Sequence, residues 1–262
     1  SMNRACQLDL LLRSIKDNIL NVGDIHVLFT VTSPDFARGY VKLSETKNLN
    51  CQLINQSNFK TDVLNIINST KSPFYLGLCD DDIVIKQFDC SDIVNRLEEP
   101  DVNAISLKAG LNILGNYPQF IYPYPNFIET EPYLKWEWKQ SNPESDWGYP
   151  TCINSYIFKK DYFLNLISNL NFNKPTNFEG GLNTIKFKLM KNIMYSFKEQ
   201  KILNIPANRI QTESPNPFDT KHNYTTEELN IKYLQGYRIS TSNIYSKNYT
   251  MGNEEVDFIF EK

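Results

Sequence analysis

The stretch YLGLCDDDIVIKQFD (Tyr75–Asp89) runs an apolar segment straight into three consecutive acids and then resumes with Ile-Val-Ile. Asp80, Asp81 and Asp82 repel one another, and the closest Lys or Arg that follows is Lys86. At the end of a buried strand such a cluster is unfavourable unless something positive meets it. A divalent cation, a basic side chain from elsewhere in the fold, or bulk solvent at a turn would each do so.

The segments upstream place this stretch in a pattern. IHVLFTV (25–31), CQLI (51–54) and FYLGLC (74–79) are short apolar runs of the kind that form buried strands. Between them, Ser33-Pro34 supplies a helix cap and a proline at the first helical position, opening a helix to about Thr46. FKTDVLNIINS (59–69) is a further helix with Val63, Ile66 and Ile67 facing inward. Before all of these, CQLDLLLRSIKDNI sets Leu8, Leu11, Leu12, Ile15 and Ile19 on one helical face. Alternating strands and helices with short connections mark a parallel sheet covered on both faces. Ligands of such sheets bind outside the carboxyl ends of the strands, where the three aspartates stand. A sheet of this class opens on a strand, whereas this chain opens on a helix, so its first strand is expected to be missing. Ser1 reads as a cloning remnant ahead of Met2 and is set aside.

The second half changes character. Residues 111–150 are rich in Pro, Tyr, Phe and Trp and hold no sustained period, which predicts a long excursion packed by its own aromatics. CINSYIFKKDYF (152–163) is expected to turn from strand into helix. NFEGGLNTIKFKLMKN (177–192) reads as a helix entered through Gly180-Gly181, and KILNIPANRIQ (201–211) as a late strand. Thr225 and Glu228 form a capping-box pattern for a helix closed by Gly236. The expected organisation is one domain over 1–262, with a change of character between residues 1–110 and 111–262.

Bulk properties restrict the function classes. The chain has 262 residues, is 41% hydrophobic and carries a formal charge of −3. That balance gives no electrostatic footprint for nucleic acid and no polybasic membrane anchor. No apolar run approaches the roughly 20 residues of a bilayer span, and no signal pattern opens the chain. The five cysteines (Cys6, Cys51, Cys79, Cys90, Cys152) are odd in number and form no CxxC pair, so they read as buried free thiols. Sequons at Asn55, Asn68, Asn223 and Asn248 matter only in a secreted protein. A soluble cytoplasmic protein is the expectation.

Hard divalent ions such as Mg²⁺ or Mn²⁺ take oxygen ligands, usually one or two carboxylates with substrate phosphates and water. A buried strand ending in CDDD resembles the DxD motif of GT-A glycosyltransferases. NRACQLDLLLRSI resembles the loop and first helix of their family 2-like members. INSYIFKKDYFLNLISNL and NFEGGLNTIKFKL resemble the later segment that supplies a catalytic base. The resemblance spans about residues 3 to 190. It implies a Rossmann-like mixed sheet flanked by helices, a nucleotide-sugar-binding half (1–110) and an acceptor-binding half (111–262), a UDP- or GDP-sugar donor, a carbohydrate or other hydroxyl acceptor, and Mn²⁺ or Mg²⁺.

Carried over to this chain, the resemblance gives Asp80 the nucleotide ribose. Asp82 would coordinate the metal, with Asp81 beside it as donor contact or alternative ligand. Glu179 would be the base. At FEGG the usual second acid is Gly180, which leaves Asp146 of SDWGYP as a rival base. Arg4 and Lys60 fall where diphosphate contacts are expected, and His222 where a late third metal ligand is often found. Trp147 would line the acceptor site. Sugar transfer with a base opposite the leaving group inverts the anomeric carbon. The alternative is a noncatalytic carbohydrate-binding or scaffold protein on the same fold.

Overall fold

The apolar spacing near the start forms helix α1 (Ala5–Asn18), with Leu8, Leu11, Leu12 and Ile15 all buried. In the computed structural model, residues 1–46, 51–117, 120–210, 222 and 224–262 are described. The Asn223 sequon and Gln211 lie outside them. Strand β1 (His26–Phe29) leads to α2 (Pro34–Glu45), where the Ser33 hydroxyl accepts from the Phe36 amide at 3.4 Å. Strand β2 (Gln52–Asn55) pairs with β1 in parallel, and Asn58 caps the following α3 (Phe59–Ser69). The apolar run after it is shorter than its sequence suggests. Strand β3 ends at Gly77, Asp80 and Asp81 occupy a turn, and Asp82 opens a separate strand β4 (Asp82–Val84).

Further strands are β5 (Val102–Ser106), β6 (Phe127–Glu129), β7 (Leu134–Glu137), β8 (Tyr156–Lys159), which runs into helix α4 (Lys160–Ile167), β9 (Ile193–Ser196) and β10 (Ile202–Asn204). Five of them, with β3, form the main sheet in the order β6-β7-β9-β5-β8-β3. Only β5 and β9 run parallel in it; the other four pairs are antiparallel. The sheet is therefore mixed and flanked by helices, as the resemblance implied, while the parallel reading from the alternation of the first strands holds for β1 and β2 and not for this sheet. Strand β4 pairs instead with β10, antiparallel, in a separate ladder.

Three expectations need correction. The aperiodic reading of 111–150 fails at β7, where Leu134 and Trp136 are fully buried while Lys135 and Glu137 are less so. That is a period-2 strand, obscured in sequence by the prolines and aromatics around it. The helix expected to begin at Gly180-Gly181 begins earlier, as α5 (Pro175–Ile185), because Pro175 fits a first helical turn and Asn177 Oδ1 accepts from the Lys174 amide at 3.1 Å. Ser1, set aside above, is bonded alongside β1. Its ammonium donates to Leu28 O at 2.8 Å, its carbonyl accepts from Thr30 N at 3.0 Å, and Met2 bridges Thr30 in parallel. No pairing joins β1 to β3 among the described residues.

Two apolar clusters hold these layers. One packs α1 against β4, β10 and the C-terminal residues Leu229, Ile239, Ile244 and Phe258. The other joins Ile67 and Ala104 to Trp136, Trp147, Phe158, Phe163 and Phe178. Each cluster draws on both sequence halves, so the halves interleave. Helix α6 (Thr226–Leu234) closes the first cluster and begins with the reciprocal Thr225–Glu228 cap.

Gly77 is where the main sheet meets the loop before β8. A Cβ there would stand 2.0 Å from the Ile153 carbonyl oxygen, a backbone atom that has no easy retreat. Gly77→Ala is expected to destabilise the protein by roughly 1–3 kcal/mol in urea unfolding. Gly180→Ala, inside α5 with nothing within 4 Å of the added carbon, is expected to stabilise by about 0.5–1 kcal/mol.

Candidate functional site at the carboxyl end of β3

The partner of the aspartates is a basic side chain from elsewhere in the fold. Arg4, at the entry to α1, sends Nη1 to Asp80 Oδ1 at 2.9 Å and to Asp81 Oδ2 at 3.2 Å. Its Nε donates to Asn208 Oδ1 at 2.8 Å, and Nη2 donates to the Asn208 carbonyl. Lys86, the nearby lysine in sequence, faces Glu199 instead. The Arg4 side chain is 9% exposed and that of Asp80 7%. Removing one member of so buried a pair typically costs about 3–5 kcal/mol. Burial alone would raise Asp80, but Arg4 together with the ammonium and side chain of Ser1 holds this carboxyl below its ordinary range.

Asp82 is met by neutral donors. Its Oδ2 accepts from the Cys79 amide at 2.8 Å, and its Oδ1 accepts from Asn154 Nδ2 and Asn204 Nδ2, each at 3.0 Å. Asn204 Nδ2 also reaches Asp81 Oδ1 at 2.9 Å. Topology brings these groups together: Asn204 ends β10, and Asn154 precedes β8. Ser155, between Asn154 and β8, has a φ of 61°, a left-handed conformation rare outside glycine, and bonds Gly77 O and Leu107 N through its backbone. Neutral donors do not cancel the charge. Burial and the neighbouring Asp81 push Asp82 up to about 7.

Lys108, two residues beyond the end of β5, is the second cation of the site. It is 7% exposed, and among the described residues its ammonium has one hydrogen-bond contact, to the Cys152 sulfur at 4.0 Å. Burial opposes its charge, yet Cys152, Asp146, Tyr156 and Asp82 outweigh that cost, so the ammonium persists. Gly252 is part of this arrangement: a Cβ there would lie 2.9 Å from Asp146 Oδ2 and 3.6 Å from Lys108 Cε. Glu179, in the second turn of α5, is the third acid around Lys108, after Asp82 and Asp146. Tyr149 donates its hydroxyl to Glu179 Oε1 at 3.2 Å. Burial raises the Glu179 carboxyl against the opposing pull of Lys108, Tyr149 and Cys152, with Asp146 adding to the rise. The Cys152 thiol is itself pushed up to about 12 by burial.

The structure thus collects Arg4, Asp80, Asp81 and Asp82 on one side, and Asp146 and Glu179 around Lys108 on the other. It does not collect Lys60, His222 or Trp147 there. Lys60 Nζ donates to the Leu170 carbonyl at 2.6 Å and stands 5.7 Å from the Phe172 ring. His222 pairs with Asp257 and stacks on Tyr224. The Trp147 ring is 4% exposed and packs edge-on against Trp136 at 5.0 Å, so it is core and offers no stacking face. Sequence reasoning missed Lys108, Asn154, Asn204 and Tyr149. For Lys108 a signal existed, because a lysine follows directly on the buried run VNAISL; the asparagines had none in so Asn-rich a chain.

No family model matches the chain, and no curated protein matches it. No described helix is long and apolar enough to cross a membrane. Among the described residues no cluster of three or more His, Cys, Asp or Glu side chains stands ready as a metal cage.

The aspartates set the pH dependence of stability. Because Asp82 sits above its unfolded value, the folded state retains a proton that the unfolded state releases between about pH 4 and about pH 7. Its contribution is full below that window and is lost as pH rises through it. Asp80, held low, acts with the opposite sign and contributes above its unfolded value, losing that contribution in acid. Stability is expected to peak on the acid side of neutrality. Asp82→Asn is expected to remove on the order of 3 kcal/mol of the decline toward pH 8. Urea melts of both proteins at a series of pH values check this, and an unchanged slope in the variant refutes it.

Proposed function

We propose that this chain is a glycosyltransferase of GT-A type, moving a sugar from a UDP- or GDP-sugar to an acceptor hydroxyl with inversion. One observation carries the reading: a buried ammonium, Lys108, acts on both Asp82 of the acidic turn and the half-buried Glu179. A transfer of this kind needs two separate electrostatic tasks in one place. Positive charge must meet the diphosphate as it leaves, and a carboxylate must take the acceptor proton.

The residues divide along those lines. Lys108 and Arg4 supply fixed positive charge. Glu179, raised by burial and oriented by Tyr149, has a proton affinity closer to a neutral operating pH than a solvated carboxylate, as a general base requires. Asp146, on the far side of Lys108, helps hold the ammonium in place. The raised carboxyl of Asp82 fits a divalent ion, since it marks negative charge that the protein leaves uncompensated. Asp81, the most open of the three acids at 23% side-chain exposure, and Asp82 are the residues to hold Mn²⁺ or Mg²⁺. Such an ion would add charge neutralisation at the diphosphate.

The noncatalytic reading draws on a different observation. Each aspartate already has a partner within the protein: Arg4 for Asp80 and Asp81, and Asn154 with Asn204 for Asp82. A scaffold needs nothing more.

Thermal unfolding with nucleotide separates the two. UDP or GDP with Mn²⁺, at about 100 times its Kd, is expected to raise Tm by roughly 5 °C or more, and Asp81→Asn is expected to abolish the shift. Glu179→Gln is expected to keep the nucleotide shift while losing at least about 100-fold in transfer rate. No shift with any nucleoside diphosphate overturns the reading. A shift without donor hydrolysis or transfer favours the scaffold.

A further inference from the structure

Between Glu179 and Glu199 the chain has no acid and four lysines, Lys186, Lys188, Lys191 and Lys198. The chain-wide charge of −3 averages this segregation away. Directly after α5, the tight turn Lys186–Lys188 and the residues that follow present Phe187 at 76% and Met190 at 89% exposure. Among the described large apolar side chains only Ile121 is comparably bare. Leu189, between them, is buried in the second apolar cluster, so the turn is anchored while its neighbours stand outward.

The backbone of this turn is clamped. Lys139 Nζ donates to the Leu189 carbonyl at 2.9 Å, Trp138 Nε1 to the Lys191 carbonyl at 3.0 Å, and Trp138 N to the Asn192 carbonyl at 3.1 Å. Phe187 and Met190 are therefore held out by packing and hydrogen bonds. Cations surround them. Lys186 Nζ lies 5.2 Å from the Phe187 ring centre and 5.8 Å from that of Tyr149, and Lys188 and Lys139 are exposed. None of Lys139, Lys186 and Lys188 is ion-paired with an acid among the described residues. Glu137, close to Lys139 in sequence, is bonded to Gln140.

We propose that this turn seats the protein on an anionic lipid bilayer. Phe187 and Met190 enter the boundary between headgroups and acyl chains, and Lys139, Lys186 and Lys188 meet lipid phosphates. Bare apolar side chains ringed by unpaired lysines are the chemistry of an interfacial contact, in which apolar burial and attraction to anionic lipid add. A protein partner fits less well, because a stable interface takes roughly 20–30 residues a side. A bilayer requires no complementary surface. The lysine stems can lie along the apolar layer while their ammonium groups remain at the headgroups. Tyr149, which donates to Glu179, lies beneath Lys186, so the contact borders the candidate site. The proposal does not depend on the catalytic reading, and a noncatalytic protein would bind in the same way.

Flotation of the full chain with vesicles tests it. Binding is expected to vesicles of equal parts phosphatidylserine and phosphatidylcholine, to weaken with added salt, and to be absent with phosphatidylcholine alone. Lys186→Glu with Lys188→Glu is expected to lower the partition coefficient at least tenfold, from about fivefold for each lysine lost. Phe187→Ser with Met190→Ser is expected to lower it by roughly tenfold or more. All four side chains are at the surface, and unchanged circular dichroism and Tm in the variants confirm that only the contact is altered. Three results would overturn the proposal: no binding to anionic vesicles, full binding by both double variants, or self-association in sedimentation that Phe187→Ser with Met190→Ser abolishes.

Discussion

Three acids at the end of an apolar strand cannot be buried without compensation, and Arg4 carries most of that compensation. A guanidinium is suited to it: it stays charged when buried and presents several donors in one plane. Its two ion pairs and two contacts to Asn208 tie the entry of α1, the turn after β3 and the segment following β10 to one point. These elements are distant in sequence, so the charge balance of the turn is also a constraint on tertiary structure. A second buried charge works similarly one turn further along α1. Asp9, fully buried in α1, takes Arg13, Arg238 and the Tyr233 hydroxyl, fastening the C-terminal residues to the same helix.

The compensation at the acidic turn is incomplete, and the shortfall gives the site its character. Arg4 reaches Asp80 and Asp81, whereas Asp82 receives amide donors only and is left with a carboxyl near neutral. Lys108 supplies positive charge from the opposite side, yet it is shared among Asp82, Asp146 and Glu179. Acids of unequal proton affinity around one buried ammonium make a site with both fixed charge and a proton acceptor. A solvated patch of the same composition would have neither, because water would level the differences. The low exposure of Lys108 therefore matters as much as the presence of the acids.

Backbone geometry makes this convergence possible. The carboxyl ends of β3 and β5 and the amino end of β8 lie side by side because β8 is antiparallel to both. Gly77 lets the loop before β8 pass close, and the left-handed Ser155 turns the chain so that Asn154 meets Asp82. Gly252 lets a C-terminal segment cross Asp146 and Lys108. On the outside, α5 carries Glu179 into the site and then delivers its exposed basic turn beside it, so one short segment serves two surfaces.

Local features were legible without coordinates where they depend on short-range chemistry. The α1 face, the Ser33-Pro34 helix start, the Thr225–Glu228 cap, the alternation over the first three strands and the aspartates at a strand end all rest on neighbours in sequence, where periodicity and capping operate. Sheet composition was not legible, since whether β8 runs with or against β3 is decided by packing across the sheet. Strand β7 was missed because two inward positions among many aromatics do not stand out until a neighbouring strand is known. The identity of the aspartates' partner was also beyond the sequence. Lys86 is close along the chain and Arg4 is far from it, yet Arg4 holds the acids, because burial favours whichever cation the fold brings within 3–4 Å. What the sequence alone determined was that negative charge would collect at the end of β3. Only the tertiary structure decided which groups answer it, and how much of it remains unanswered, because those depend on distances and on the exclusion of water.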